Sequence, residues 1–240
     1  GGMADRPLAR FLASLGAEIG GPVAGASFVI DDLGREPALA LGPIDPGTIH
    51  VSVTPFGSGG PRAGWKGGEL VASAMGGALR LTGEPGQKPV KEAGDACTFH
   101  ADMVAAAGAM AAHFARGTHG EGQHVDVSIQ QVAMSRNVNG VLVWQFDRRK
   151  LDRAGGCIAY GRAKVRVIWK LADGWCFHAL MTGRLGAPAN AALSDWMDEA
   201  GIDNPMRGVD WLAYNRSTLP AETRSTWEAA MAAFFATRTK

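Results

Sequence analysis

The sequence predicts an α/β protein: a shortened, doubly wound, Rossmann-like parallel sheet followed by a partial α+β small domain. Three observations predict it. Residues 27–32 and 48–53 are short runs rich in β-branched residues and closed by turn formers, the form of buried parallel strands. A Gly-rich loop follows the second run directly, and open parallel sheets bind ligands where their strands end. Residues 98–116 are Ala-rich at helical spacing and lead into an alternating run at 124–128.

Each element has its own signal. Residues 7–18 place Leu8, Phe11, Leu12 and Leu15 at helical spacing, with Pro7 suited to a first turn and Gly16 to a C-terminal cap. After the loop at 57–68, residues 69–82 carry Leu70, Val71, Ala74, Leu79 and Leu81 among small residues, which predicts a helix packed closely through Ala and Gly. Residues 83–97 are rich in Gly, Pro and Lys and predict a loop. Within 98–116, Met103, Val104, Ala107, Met110, Ala111 and Phe114 share one face, which predicts a long buried helix capped at Thr98. Residues 129–146 resume a helical pattern.

The remainder reads as a second module. Residues 147–164 form a basic, Gly-containing connector, and Arg148, Arg149, Lys150 and Arg153 read as a solvated surface. The runs 165–171 and 175–180 flank Asp173-Gly174, a strong hairpin signal. Residues 189–200 and 220–238 predict amphipathic helices, and Trp196, Trp211 and Trp227 read as core or interface. The expected division is a core at 5–146, a connector at 147–164 and a partial small domain at 165–240. Gly1 and Gly2 ahead of Met3 read as an artificial extension.

Composition narrows the function. Lys+Arg 24 against Asp+Glu 23 leaves a net charge of +1, which gives no reason to expect a nucleic-acid or membrane partner. Cys97, Cys157 and Cys176 are odd in number and far apart, so the pattern indicates neither a disulfide framework nor a metal site. A reducing, cytoplasmic setting is the expectation. The loop Phe56-Gly57-Ser58-Gly59-Gly60-Pro61 offers backbone amides to a phosphate or a thioester, and a plain Gly-rich turn reads equally well. Ser58 and Ser128 lie outside a Gly-x-Ser-x-Gly elbow, which argues against a hydrolase.

Several segments, in order and at consistent spacing, resemble the family III coenzyme A transferases, which include formyl-CoA and carnitine CoA transferases and the α-methylacyl-CoA racemases (CaiB/BaiF type). The resemblance is carried by Leu12-Ala13-Ser14-Leu15-Gly16-Ala17-Glu18, by residues 49–61, by Leu81-Thr82-Gly83-Glu84-Pro85, and by residues 115–128. It continues through Asp173-Gly174-Trp175, Trp196-Met197-Asp198-Glu199-Ala200-Gly201 and residues 234–240. It implies coenzyme A or an acyl-CoA as substrate, a carboxylic acid as acceptor, and no metal. Phe56, Gly57, Gly59, Gly60 and Lys66 are the implied CoA contacts, and Glu69 an acidic residue of the same site.

The resemblance also implies an aspartate nucleophile at the start of the Ala-rich helix. Counting back from Gly108, that position falls on Thr98. A threonine hydroxyl is protonated at neutral pH and is a poor substitute for a carboxylate. Asp95 and Asp102, about one turn to either side, are the candidates to replace it; His100 could act as a base, but a lone histidine beside a helix start reads more readily as structural. The histidine of the racemases has no match, since Lys66-Gly67-Gly68-Glu69 stands in its place, so a racemase is the weaker reading.

Two functions follow: a transferase that uses Asp102 or Asp95, or a non-catalytic paralogue that forms the structural half of a heteromeric transferase. Residues 19–26 span a gap where family members carry a longer stretch, which predicts a reduced adenine site. The chain stops at Lys240 within the expected small domain. The expectation is therefore a simple dimer, or a heteromer with a catalytic paralogue, in place of the family's interlocked rings.

Overall fold

The computed structural model describes residues 5–33, 41–160 and 163–240; the two leading glycines lie outside them. Three strands, β1 (Phe28–Asp31), β2 (Ile49–Thr54) and β3 (His124–Ser128), form a parallel sheet in the order β1-β2-β3. The α/β expectation holds.

Among the described residues, this first unit contains the helices α1 (Pro7–Ser14), α2 (Glu69–Met75), α3 (Ala78–Leu81), α4 (Ala96–His119), α5 (Ile129–Ser135) and α6 (Val138–Asp147). The unit comprises the chain up to Gly83 together with Gln87–Arg153. Helix α1 starts at Pro7 and ends in a Schellman motif: Gly16, at φ +97°, donates to Ala13, and Ala17 donates to Leu12. The expected single helix at 69–82 is broken into α2 and α3 by Gly76-Gly77. At Gly76 a Cβ would lie 2.5 Å from that of Ala133 on α5, so glycine there permits the close approach of the two helices.

The sheet has two chemically different faces because side chains alternate along each strand. Ile49, Val51, Val53 and Val127 are buried in one cluster with Ala101, Ala105, Ala109 and Ala112 of α4 and with Leu8 and Leu12 of α1. Small residues let α4 lie close to the sheet, and at Gly108 a Cβ would come within 2.7 Å of Val125. The opposite face is polar, with His50 paired to His124, Ser52 to Asp126 and Thr54 to Ser128.

This packing corrects the expected orientation of α4. Its buried face is the alanine face, whereas Phe99, Val104, Met110 and Phe114 are 50%, 48%, 37% and 82% exposed. Both faces are apolar, so volume decides: the tight face takes the residues that bring helix and sheet together. The helix also begins earlier than expected, with Asp95 at the N-cap position and Thr98 the third residue of the helix.

The second unit comprises residues 84–86 and 154–240. A hairpin of β4 (Cys157–Tyr160) and β5 (Ala163–Arg166) occupies part of the stretch read as connector. The hairpin anticipated around Asp173-Gly174 forms as β6 (Ile168–Lys170) and β7 (Trp175–Phe177). Helices α7 (Ala187–Glu199) and α8 (Ala221–Ala236) cover a core of Trp169, Met197, Met206, Trp211, Trp227, Met231 and Phe234. Trp211 and Trp227 are thus core residues, while Trp196 is half-exposed against Phe234 and Arg238. Among the described residues no helix is long and apolar enough to cross a membrane.

Candidate active site

Helix α4 begins with free backbone amides, and such a helix start attracts an anion. Glu69, the first residue of α2, supplies one. Its Oε1 accepts from the Cys97 amide at 2.8 Å, and its Oε2 accepts from the Thr98 amide at 2.9 Å and the Thr98 hydroxyl at 2.8 Å. Burial pushes the Glu69 carboxyl up, but the hydrogen bonds from the Cys97 and Thr98 backbone and the Thr98 hydroxyl together hold it below its ordinary value. Thr98 therefore does not act as the helix cap. The cap comes from another helix, and Thr98 donates to it.

Around this pair sit groups that the sequence did not single out. Burial, and then the Glu69 charge, push the buried Cys97 thiol up. Arg136 grips both oxygens of Glu92 at 2.9 Å and lies 3.8 Å from the Cys97 sulfur. No spacing rule could have found this group, since its members come from the loop before α4, from α4 itself and from the end of α5.

The candidate carboxylates do not converge on Thr98. Asp102 is wholly buried and faces Arg6, which holds it at 2.5 Å and 3.3 Å through two guanidinium nitrogens. Asp95 points outward, its side chain 75% exposed and 3.8 Å from Lys91. His100 is turned onto its own helix, its Nδ1 donating to the Ala96 carbonyl at 2.6 Å. Glu69 and Thr98 are brought together; Asp95 and Asp102 remain apart from them.

The Gly-rich loop is anchored rather than open along its first half. The Gly57 amide donates to Thr54 at 2.9 Å, while the amide and hydroxyl of Ser58 both donate to Asp126. Gly59 and Gly60 form an exposed tip, and Lys66 is exposed beyond it. Phe56 is buried, with its ring against Trp65 at 6.0 Å and against Gly67, where a Cβ would lie 3.1 Å away. The loop tip and Lys66 can meet a ligand from solvent; Gly57 and Phe56 serve to hold the loop in shape.

The polar sheet face gathers Asp31, His50, Ser52 and His124. The Ser52 hydroxyl donates to Asp31 at 3.0 Å and lies 3.0 Å from His124 Nε2 and 3.3 Å from His50 Nε2, while His50 also contacts Asp31. The two imidazoles stack at 4.5 Å. Ser52 is wholly buried at the centre of this cross-strand polar ladder, while His124 at its edge is exposed. Partial desolvation, and then the neighbouring His50, push His124 below its ordinary value. Among the described residues no group of three or more potential ligands is placed to hold a metal ion.

The pattern of CoA-transferase family III matches residues 31–240. Over 168 residues the chain is 30% identical to the subunit BbsE of succinyl-CoA:(R)-benzylsuccinate CoA-transferase from Thauera aromatica; the match covers 69% of this chain and 40% of that one. A succinate–glutarate CoA-transferase from Agrobacterium fabrum is 30% identical over 112 residues, 47% of this chain and 28% of the relative. The fold is similar to that of a CaiB/BaiF family protein from Brucella suis, with a TM-score of 0.64 at 22% identity, over 89% of this chain and 54% of the other. The chain thus spans about half, or less, of the length of these relatives.

Proposed function

The chain belongs to CoA-transferase family III, and from that premise we propose that it is the non-catalytic subunit of a heteromeric CoA-transferase, carrying the family scaffold while another chain supplies the nucleophile. The observation that carries this reading is the Thr98–Glu69 pair. Covalent transfer of CoA between acids needs a carboxylate oxygen free to attack a thioester carbonyl. Thr98 offers only a hydroxyl, already donated. Glu69 holds its charge too firmly to act as a general base on an alcohol, because a base of lowered pKa takes a proton weakly. Its oxygens are also engaged by three donors, which blunts them as nucleophiles.

The similarity to a protein named as a subunit agrees with this reading. The acyl-CoA would meet the chain at the exposed Gly59-Gly60 tip and at Lys66, with a dicarboxylic acid of the succinate type as the acceptor class. The competing reading is a transferase that works alone through Asp95, favoured by the exposure of that carboxylate next to the start of α4.

The two readings separate in one experiment. The purified chain is incubated with succinyl-CoA, then with hydroxylamine, and its intact mass is measured. No adduct is expected from this chain alone, together with CoA binding by calorimetry that Lys66→Ala weakens. An acyl, CoA or hydroxamate adduct on Asp95, Asp102 or Glu69 overturns the proposal.

A further inference from the structure

The second unit contains a cleft whose floor is apolar and whose charged groups are not paired with one another. It lies between the β5 and β6 segment and α8, and measures about 310 Å³ counted to its open mouth. Trp169 and Met231 are 1% exposed and Trp227 is 6% exposed, so the floor is closely packed. Along α8, Arg224, Trp227, Glu228 and Met231 stand at helical spacing, which brings two charges and two apolar side chains to one face.

Arg224 and Glu228 have the i, i+4 spacing at which a helix normally forms an ion pair. Here each turns to a different partner. Arg224 donates from Nη2 to the Arg216 and Leu219 carbonyls at 3.4 Å and 2.9 Å. Glu228 accepts the Arg166 amide at 3.1 Å through Oε1. The Arg166 guanidinium lies 5.0 Å over the Trp169 ring and donates from Nε to the Ile168 carbonyl at 3.1 Å. Among the described residues, both terminal nitrogens of Arg166, Nη1 of Arg224, Oε2 of Glu228 and the Tyr214 hydroxyl have no hydrogen-bond partner. Burial pushes the Tyr214 phenol up, which keeps it neutral and able to donate. Charges drawn into an apolar cleft without counter-charges lose hydration and gain little in return.

We propose that this cleft is a binding site for a small apolar α-amino acid in its zwitterionic form. A carboxylate suits the planar donor forks of Arg166 and Arg224. An ammonium, a compact charge with several donors, suits Oε2 of Glu228. The apolar side chain then lies against Trp227, Leu180 and Met231, where contact with water is already excluded. A plain fatty acid would set its carboxylate near Glu228 with nothing to offset it. A plain amine would meet two cations. The zwitterion alone matches all three charges. The site belongs to the second unit, goes beyond the subunit reading and stands whether or not the Thr98 site is catalytic.

Calorimetry of the full chain tests it with three ligands of one carbon skeleton: L-leucine, isocaproate, which lacks the ammonium, and isoamylamine, which lacks the carboxylate. Leucine is expected to bind with a Kd of about 1 mM or lower, and each analogue roughly tenfold more weakly or worse. Glu228→Gln keeps an oxygen for the Arg166 amide and removes only the charge. Circular dichroism checks its fold. This variant is expected to lose leucine affinity by roughly tenfold while binding isocaproate no more weakly than the wild type does, a split that a merely structural role would not produce. Absence of leucine binding, isocaproate binding as tight as leucine, or a folded Glu228→Gln chain with unchanged leucine affinity overturns the proposal. The comparison of ligands on the wild type decides the matter even where the variant fails to fold. The readout is amino-acid binding, so failure here is distinct from failure of the subunit reading, which is judged by adducts.

Discussion

The carboxylate of Glu69 accepts both the amide and the hydroxyl of Thr98, at 2.9 Å and 2.8 Å, across 29 positions of sequence. A helix start that would normally be closed by its own N-cap residue is closed here by a neighbouring helix. The position read as the nucleophile is a donor in that closure. Stability and chemistry therefore meet in one contact, and changes at either residue report on both.

Glu69→Gln should cost about 1–2 kcal/mol at neutral pH, the scale of a lost helix cap with a charged acceptor. The folded-state pKa of Glu69 lies below its ordinary value, so the folded state binds fewer protons than the unfolded chain in that range. Its contribution is full above the ordinary carboxylate pKa and is lost as pH falls through the lowered one. Urea unfolding at pH 7 and at pH 3 should show the wild type and the variant converging in acid.

Removing Arg6 strands a charge in the interior. Asp102 is wholly buried and the Arg6 side chain is 17% exposed, and the pair ties the start of α1 to α4. Arg6→Met should cost about 3–5 kcal/mol, as for other broken buried pairs, while the double variant with Asp102→Leu should recover much of the loss. A double-mutant cycle by urea denaturation gives the coupling. Were Asp102 instead a free nucleophile, the two effects would simply add.

Adjacent glycines should fail for different reasons. At Gly76 the backbone is ordinary, with φ −79°, but a Cβ would sit 2.5 Å from Ala133 and 2.9 Å from the Gln130 carbonyl. Gly76→Ala should cost about 1–3 kcal/mol by overpacking, and Ala133→Gly should partly rescue it. At Gly77 there is open space but φ is +86°, so Gly77→Ala should cost roughly 1 kcal/mol, with no rescue from Ala133→Gly. Thermal or urea midpoints of the four variants distinguish volume from backbone strain.

What the sequence could and could not show follows from the range of each interaction. The strands at 28–31, 49–54 and 124–128 were legible because β-branched alternation is local, and the Asp173-Gly174 hairpin because its turn chemistry lies in two residues. The facing of α4 was not legible. Alanine and large apolar residues both count as apolar, and only the closeness of Val125 to Gly108 decides which face goes inward. The β4–β5 hairpin was hidden because the basic and Gly-rich residues around it read as a linker. At the site, Glu69 and Thr98 were both named from the sequence, but their hydrogen bond was not, because nothing local links residues 29 positions apart.

His124 gives the chain a mild acid sensitivity. Its folded-state pKa is lowered, first by desolvation and then by the stacked His50, so the unfolded chain binds the proton more readily. Stability rises with pH through the ordinary histidine range and is lost as pH falls below it. His124→Gln should flatten this part of the profile while leaving the acid limb set by Glu69 in place. Melting temperatures measured from pH 5 to pH 8 at constant ionic strength provide the test.

Thr98→Asp is the most informative single change, because it places the carboxylate that the family resemblance implies against the one already present. Two carboxylates within hydrogen-bond reach cannot both ionise cheaply, so one proton should be retained to higher pH than either acid would hold alone. The folded state then binds more protons than the unfolded chain, and stability should fall as pH rises from about 4 towards 7, the reverse of the wild-type trend at this site. Thr98→Asn, of similar size but uncharged, should lack that fall. If the two variants show the same pH profile, the introduced acid has turned away from Glu69 and the contact is not rigid. If the Asp variant also gains a hydroxylamine-sensitive acyl adduct with succinyl-CoA, the scaffold retains its thioester site and lacks only the nucleophile.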